Sequence, residues 1–193
     1  MDYQALQANF RRYIQLTDEE AQYFFSLLKP QKLKARRLLL DIGDPCLYFS
    51  LVTEGCLVNY YTDDNGFEHV LQFATTFWWT ADLQSLMNGT PSMYTIKAVV
   101  DSEVLRLSRA DMELLYQQIP KFERYFRIIF QNALMSHQTR IMQNIAYPAE
   151  ERYRQFQQTY PHIEQLVPQK YIASYLGITP EFLSKIRRKM AKK

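Results

Sequence analysis

The sequence is poor in the residues that most often do chemistry. Of 193 residues, two are cysteine and three are histidine. Cys46 and Cys56 lack Cys-x-x-Cys spacing, and with so few histidines no zinc or iron–sulfur site is expected. Both thiols fall in segments that read as strands, so reduced, buried cysteines are expected. There is no glycine-rich phosphate loop, no Gly-x-Ser-x-Gly elbow and no His-Glu-x-x-His. That removes the usual signatures of nucleotide hydrolases, serine hydrolases and zinc proteases. The acidic pairs Asp63-Asp64 and Glu150-Glu151 fall in a turn and at a helix start, where they cap or solvate. The chain is therefore expected not to be an enzyme. No apolar run approaches the roughly 18 residues that a membrane span needs. Met1-Asp2-Tyr3-Gln4-Ala5-Leu6-Gln7 has no basic stretch followed by an apolar one, so no secretory leader is expected and the location expected is cytoplasmic.

What is present is globular and aromatic. Hydrophobic residues make 47% and charged residues 22%, enough for a real core in one or two domains. Fourteen tyrosines lift the aromatic share to 15%. Charge is unevenly placed. From Pro168 onward there are seven Lys or Arg and one acidic residue, a net of +6 (seven minus one). The whole chain is +3, so the remainder is −3 (three minus six). Positive charge is thus gathered where a phosphate backbone would lie.

The same stretch reads as two short helices, about 169–176 and 180–190. Gly177 stands where the chain must turn with φ > 0. Thr179-Pro180 is a helix start, a capping hydroxyl followed by proline at the first position. Ala173 is small where two crossing helices touch, and Ile172, Leu176, Ile178, Leu183 and Ile186 fill the core between them. Such a helix-turn-helix lays its second helix in the DNA major groove while the first crosses the backbone. The bland alternative is a helical hairpin with a solvated basic tail.

The chain begins with a short helix to about Arg12. Thr17-Asp18-Glu19-Glu20 is a capping box opening a helix to about Leu28, which Pro30 ends. From Lys32 to Ser108 the period is two. Leu57 and Asn59 point one way, Val58 and Tyr60 the other, and further runs follow at 68–74, 94–100 and 103–108. Turns at Gly43-Asp44-Pro45, Glu54-Gly55, Asp64-Asn65-Gly66 and Asn88-Gly89-Thr90-Pro91 divide them, as in an antiparallel sandwich or barrel. Ser108 to Ile119 is helical, and Pro120 begins a long helix to about Ile145. That helix carries two apolar stripes: Phe122, Phe126, Ile129 and Ala133, and then Phe130, Leu134, Ile141 and Ile145. One stripe suffices for packing on one surface. The second is expected to meet another copy of the chain, or else to be buried in a larger single core. A last helix, Pro148 to about Thr159, precedes the helical pair.

This order resembles the Crp/Fnr family of bacterial transcription regulators. Ile42-Gly43-Asp44, Leu47-Tyr48-Phe49 and Glu54-Gly55-Cys56-Leu57-Val58 look like the family's strand–turn–strand pattern. Ile172-Ala173-Ser174-Tyr175-Leu176-Gly177-Ile178 and Phe182-Leu183-Ser184-Lys185-Ile186-Arg187 resemble its recognition unit more specifically. The resemblance implies an α+β protein. Residues 1–145 would be an antiparallel jelly-roll β-barrel of cyclic-nucleotide-binding type with flanking helices and a long dimerisation helix. Residues 146–193 would be the DNA-binding domain. The implied partners are double-stranded DNA, a second copy of the chain and RNA polymerase. The implied DNA-facing residues are Gln169, Lys170, Thr179, Glu181, Phe182, Ser184, Lys185, Arg187 and Arg188.

The sequence departs from the family in ways that matter. Members that bind cAMP hold its phosphate with a short helix opening Gly-Glu-Leu and an Arg-Ser pair about ten residues on. Here Ala81-Asp82-Leu83 and Ser92-Met93 stand in those places. The phosphate anchor is missing, so tight cAMP or cGMP binding is not expected, and Lys97 is expected to lie outside the pocket. The pocket of Trp79, Asp82, Leu83, Ser92, Met93 and Tyr94 is empty, vestigial or fitted to an apolar or uncharged ligand, unless its aromatics are simply core. The clustered N-terminal cysteines of the iron–sulfur branch are absent, and His69, His137 and His162 give no clear haem ligand. No cofactor is expected. The β-hairpin wing after the recognition helix is expected to be lacking. Pro180 replaces an arginine, so the DNA half-site should differ from the usual one. Glu181 would accept from a cytosine amino group, and Lys185 or Arg188 would reach guanine or phosphate. A small-molecule-binding signalling module that contacts a protein is the competing reading.

Overall fold

A computed structural model describes residues 3–191, with side chains from Gln4. Met1 and Asp2 of the expected first helix, and Lys192 and Lys193 of the basic tail, lie outside the described residues. Helix α1 (Tyr3–Arg11) buries Leu6 and Phe10. Helix α2 (Asp18–Leu27) starts on the expected capping box. The Thr17 hydroxyl accepts the Glu20 N–H at 3.2 Å, and the Glu20 carboxylate accepts the Thr17 N–H at 2.8 Å. Pro30 does not terminate this helix. It lies in the strand β1 (Lys29–Leu33), at a sheet edge that tolerates a residue without an N–H.

Seven more strands follow: β2 (Leu38–Leu40), β3 (Tyr48–Glu54), β4 (Leu57–Thr62), β5 (Glu68–Ala74), β6 (Trp79–Thr80), β7 (Thr95–Ala98) and β8 (Ser102–Ser108). A short helix α3 (Leu83–Asn88) sits between β6 and β7. The strands form two antiparallel four-stranded sheets, ordered β1-β8-β3-β6 and β2-β7-β4-β5. Their facing sides make the first core. A buried polar pair ties them, the Asn59 amide donating to Thr80 Oγ1 at 2.9 Å. The β4–β5 hairpin turns on Asp63, whose carboxylate accepts the N–H groups of Asn65 and Phe67, both at 2.9 Å. Cys46 and Cys56 are buried and free, but each stands just before a strand and not within it.

Then come α4 (Arg109–Gln118), α5 (Lys121–Ala146), α6 (Ala149–Thr159), α7 (Ile163–Leu166), α8 (Gln169–Leu176) and α9 (Pro180–Met190). The N-terminal third of α5 packs on α1, α2 and the strands through aromatic edges. Phe10–Tyr125, Phe24–Phe122 and Trp79–Phe126 have ring centroids 4.9, 4.5 and 5.3 Å apart. Trp79 Nε1 donates to the Tyr125 hydroxyl at 2.9 Å, so neither buried polar atom is left unmet.

A second core explains an oddity of β4. Leu57, Val58, Asn59 and Tyr60 are all buried. The expected alternation holds, but neither face is wet. Leu57 enters the first core, while Val58 and Tyr60 join Val70 and Phe73 of β5 under α6, α8 and α9. The hydrophobic interior that holds the C-terminal helices is therefore built in part from the outer face of a sheet.

Candidate functional site

The helical pair is set by its turn. Gly177 ends α8 at φ +64, in the left-handed region that suits glycine. The Ile178 N–H returns to Ala173 O at 3.0 Å. The Thr179 hydroxyl accepts the Phe182 N–H at 3.2 Å and opens α9, with Pro180 first. Ile172, Ala173, Leu176, Leu183 and Ile186 are buried, and Ile178 is half-buried. That leaves Thr179, Glu181, Phe182, Lys185, Arg187 and Arg188 exposed along α9. The Glu181 carboxyl is held below its usual range by its own backbone N–H and by Thr179, so it stands as an ionised acceptor at neutral pH.

Three of the expected DNA-facing residues, Gln169, Lys170 and Ser184, have other occupations. Gln169 Nε2 donates to Ser184 Oγ at 2.6 Å and to Pro180 O at 3.2 Å, bolting the start of α8 to the first turn of α9. Lys170 pairs with Glu68 at 2.6 Å. Glu68, the first residue of β5, also holds Lys97 at 3.0 Å. Burial alone would raise its pKa, but the two ammonium groups outweigh this and keep the carboxyl below its ordinary value. Lys97 lies over the rings of Tyr60 and Tyr171, with centroids at 4.5 and 5.4 Å. It thus sits on the outer face of the sheet, away from the groove described below.

The backbone of β5 is clasped as well. Its sheet ends there, so its free edge offers unpaired groups. Ser174 Oγ accepts the Val70 N–H at 2.8 Å and donates to Glu68 O at 2.7 Å. Arg140 of α5 donates to Leu71 O and to Val70 O, the latter at 2.9 Å, with its guanidinium 4.1 Å from the Tyr175 ring centroid. Helix α8 and the middle of α5 therefore complete the strand's hydrogen bonding in place of another strand.

Beyond its first turns, α5 stands free on one side. Leu134, Ile141 and Ile145 are 59%, 60% and 83% exposed, an apolar stripe without cover among the described residues. Phe130, at its upper end, is half-buried and stacks on Phe49 at 5.6 Å.

Between the barrel and α5 lies a groove of about 760 Å³. Trp79, Asp82, Leu83, Met93 and Tyr94 line it as expected, and Phe130, Leu134 and His137 form its α5 wall. Ser92 does not line it but is buried beneath. No lysine or arginine lines the groove. Asp82 is 2% exposed and fully engaged. One carboxylate oxygen accepts the Ser85 N–H at 3.0 Å, capping α3. The other accepts the Ser92 hydroxyl at 3.0 Å and the Met93 N–H at 2.9 Å. Tyr94 is tied through its hydroxyl to Ala81 O at 2.6 Å.

Residues 30–119 match the family model described as the cyclic nucleotide-binding domain. No curated protein sequence matches the chain. Solved structures match it along most of its length. FixK2 from Bradyrhizobium japonicum is 16% identical over 86% of this chain and 85% of its own, with a TM-score of 0.74. The c-di-GMP-responsive global regulator CLP of Xanthomonas campestris is 14% identical over 91% and 92%, with a TM-score of 0.71. A CooA mutant from Carboxydothermus hydrogenoformans is 17% identical over 88% and 78%, also at 0.71. At these identities the likeness is one of fold, and the fold is that of the Crp/Fnr regulators.

The donors at Ser85, Ser92 and Met93 already serve an internal anion, the Asp82 carboxylate. A phosphate brought there would meet a second negative charge and no cation. Among the described residues there is also no cluster of His, Cys, Asp or Glu fit for a metal, and no helix long and apolar enough to cross a membrane.

Glu68, Lys97, Arg140, Ser174 and Tyr175, which join the domain to the helical pair, escaped the sequence reading. Glu68 has no motif around it, and the motif that holds Ser174 and Tyr175 gives no signal of what they face outside the helical pair. Arg140 was the one hint, a cation in the middle of an otherwise apolar and amide-rich run of α5.

Proposed function

We propose that the protein is a sequence-specific DNA-binding transcription regulator that works as a homodimer, without catalysis, in the cytoplasm. The observation that carries this reading is α9. It is a capped helix seated on a buried face of Leu183 and Ile186, with Glu181, Lys185, Arg187 and Arg188 exposed on it. That makes α8 and α9 a helix-turn-helix whose second helix enters the major groove. Glu181 reads a base edge, while Lys185, Arg187 and Arg188 meet phosphates or guanine. The bare stripe of Leu134, Ile141 and Ile145 supports pairing with a second copy, which would set two such helices on a palindromic site. RNA polymerase is then the further partner through which transcription changes. The occupied donor set around Asp82 supports a regulator that does not respond to cAMP.

Binding to duplex DNA across a range of salt tests the reading. Log affinity should fall linearly with log salt as condensed counterions are released. Arg187→Ala and Arg188→Ala should each flatten that slope by about one and weaken binding to every sequence, whereas Glu181→Ala should change sequence preference. Salt-independent binding, or none at low salt, would transfer support to a signalling module that contacts a protein.

A further inference from the structure

A second cavity adjoins the groove, sharing Leu71, Gln72, Trp79, Ile129, Ala133 and His137 with it, and opens where three parts of the fold meet. It is a cleft of about 260 Å³ between β5, the middle of α5 and the C-terminal helices. Its walls are aromatic and already held by one another. The rings of Trp78 and Tyr160 lie 5.5 Å apart, and those of Tyr160 and Tyr175 meet edge to face at 5.7 Å.

The cleft has one permanent cation, Arg140, and no carboxylate lines it. Arg140 forms no ion pair among the described residues. Each terminal nitrogen gives one N–H to a β5 carbonyl, which is neutral, and keeps a second N–H. Its Nε is buried and meets no acceptor among the described residues. A buried donor without a partner is costly, and a guanidinium away from water favours an anion strongly. His137, also in the lining, is kept from adding a second charge near neutral pH, since burial and the neighbouring Arg140 lower its pKa.

We infer that this cleft binds a small planar aromatic carboxylate, its ring among Trp78, Tyr160 and Tyr175 and its carboxylate at Arg140. Aromatic side chains flanking a flat ring supply most of the contact, and the guanidinium, which no carboxylate in the lining neutralises, supplies the selection for charge. The site differs from the groove in the residues that decide its ligand, because neither Arg140, Tyr160 nor Tyr175 lines the groove. Arg140 is also the strap between α5 and β5. On the reading that α9 binds DNA, a ligand here acts at the joint between the dimer helix and the reading head.

Calorimetric titration of the full-length protein with benzoate and 2-naphthoate, against benzamide and 2-naphthamide, tests the inference without DNA. The two tryptophans of the chain, Trp78 and Trp79, both line the cleft, so benzoate binding should also change intrinsic fluorescence. At least one carboxylate should bind saturably, about tenfold or more tighter than its amide, with a matching fluorescence change. Arg140→Gln should abolish the preference. Ser136→Phe, which fills the cleft from an exposed helix position and spares the strap, should abolish binding. Should Arg140→Gln fail to fold by circular dichroism, Ser136→Phe decides. No saturable binding by either acid, equal binding of acid and amide, or unaltered binding in a folded variant overturns the inference. Each of these results leaves DNA binding untouched, and a failure to bind DNA leaves the titration untouched.

Discussion

Asp82 and Glu68 are both acidic residues at or near the ends of strands, yet they do opposite work. Asp82 is an internal anion, holding the start of α3 and the loop to β7 through the donors of Ser85, Ser92 and Met93. Asp82→Ala should cost about 1–3 kcal/mol, because buried donors lose their acceptor. Urea unfolding checks this, and an unchanged midpoint would mean that the loop is held otherwise. Glu68 is a bridge, gripping Lys97 from β7 and Lys170 from α8. Its folded pKa lies below the ordinary 4.5, so its contribution is present above that value and is lost as pH falls through the folded value. Wild type should therefore be more stable than Glu68→Gln near neutral pH, and the two stabilities should converge in acid. Parallel curves throughout would show that the bridge contributes nothing.

At the scale of elements, the chain wrote its helices and most strands in plain terms. Thr17-Glu20 and Thr179-Pro180 are capping signals that operate as read, and Ser108, where a helix is expected to start, caps α4. The ends of α8 and α9 follow from Gly177 and Thr179 for the same local reason. The short β2 and β6 were not legible, since two or three residues carry no period, and Pro30 misled because edge strands accept proline. Nor was the short α7, Ile163–Leu166, whose single turn offers too little spacing to read. The two stripes of α5 were visible as a sequence pattern, and the structure leaves the second one uncovered. The matching prediction is that Ile141→Glu converts a dimer into a monomer in sedimentation equilibrium, at concentrations where the wild-type chain is paired. A charged residue in an apolar seam costs far more than the side chain it replaces. Equal masses for the two proteins would remove the α5 stripe from the interface.

At the scale of the molecule, the candidate site was half legible. The surface of α9 follows from helical spacing and charge, and the altered phosphate cradle follows from four substituted motif positions, Ala81, Asp82, Ser92 and Met93. The seam between the barrel and the helical pair could not be foreseen, because it joins Glu68 to Lys170 and Val70 to Ser174 across about a hundred residues. Only the fold brings such positions together. That seam gives the second core its meaning. Helices α8 and α9 rest on the outer face of the strand domain's own sheet, so a change in the sheet or in α5 reaches α9 through packed atoms. The measurement that tests the central claim most directly is selection of bound sequences from a random duplex pool. The account predicts a palindrome with half-site centres about one helical turn apart, enriched most at low salt. A pool retained without any motif, or not retained at all, would contradict it.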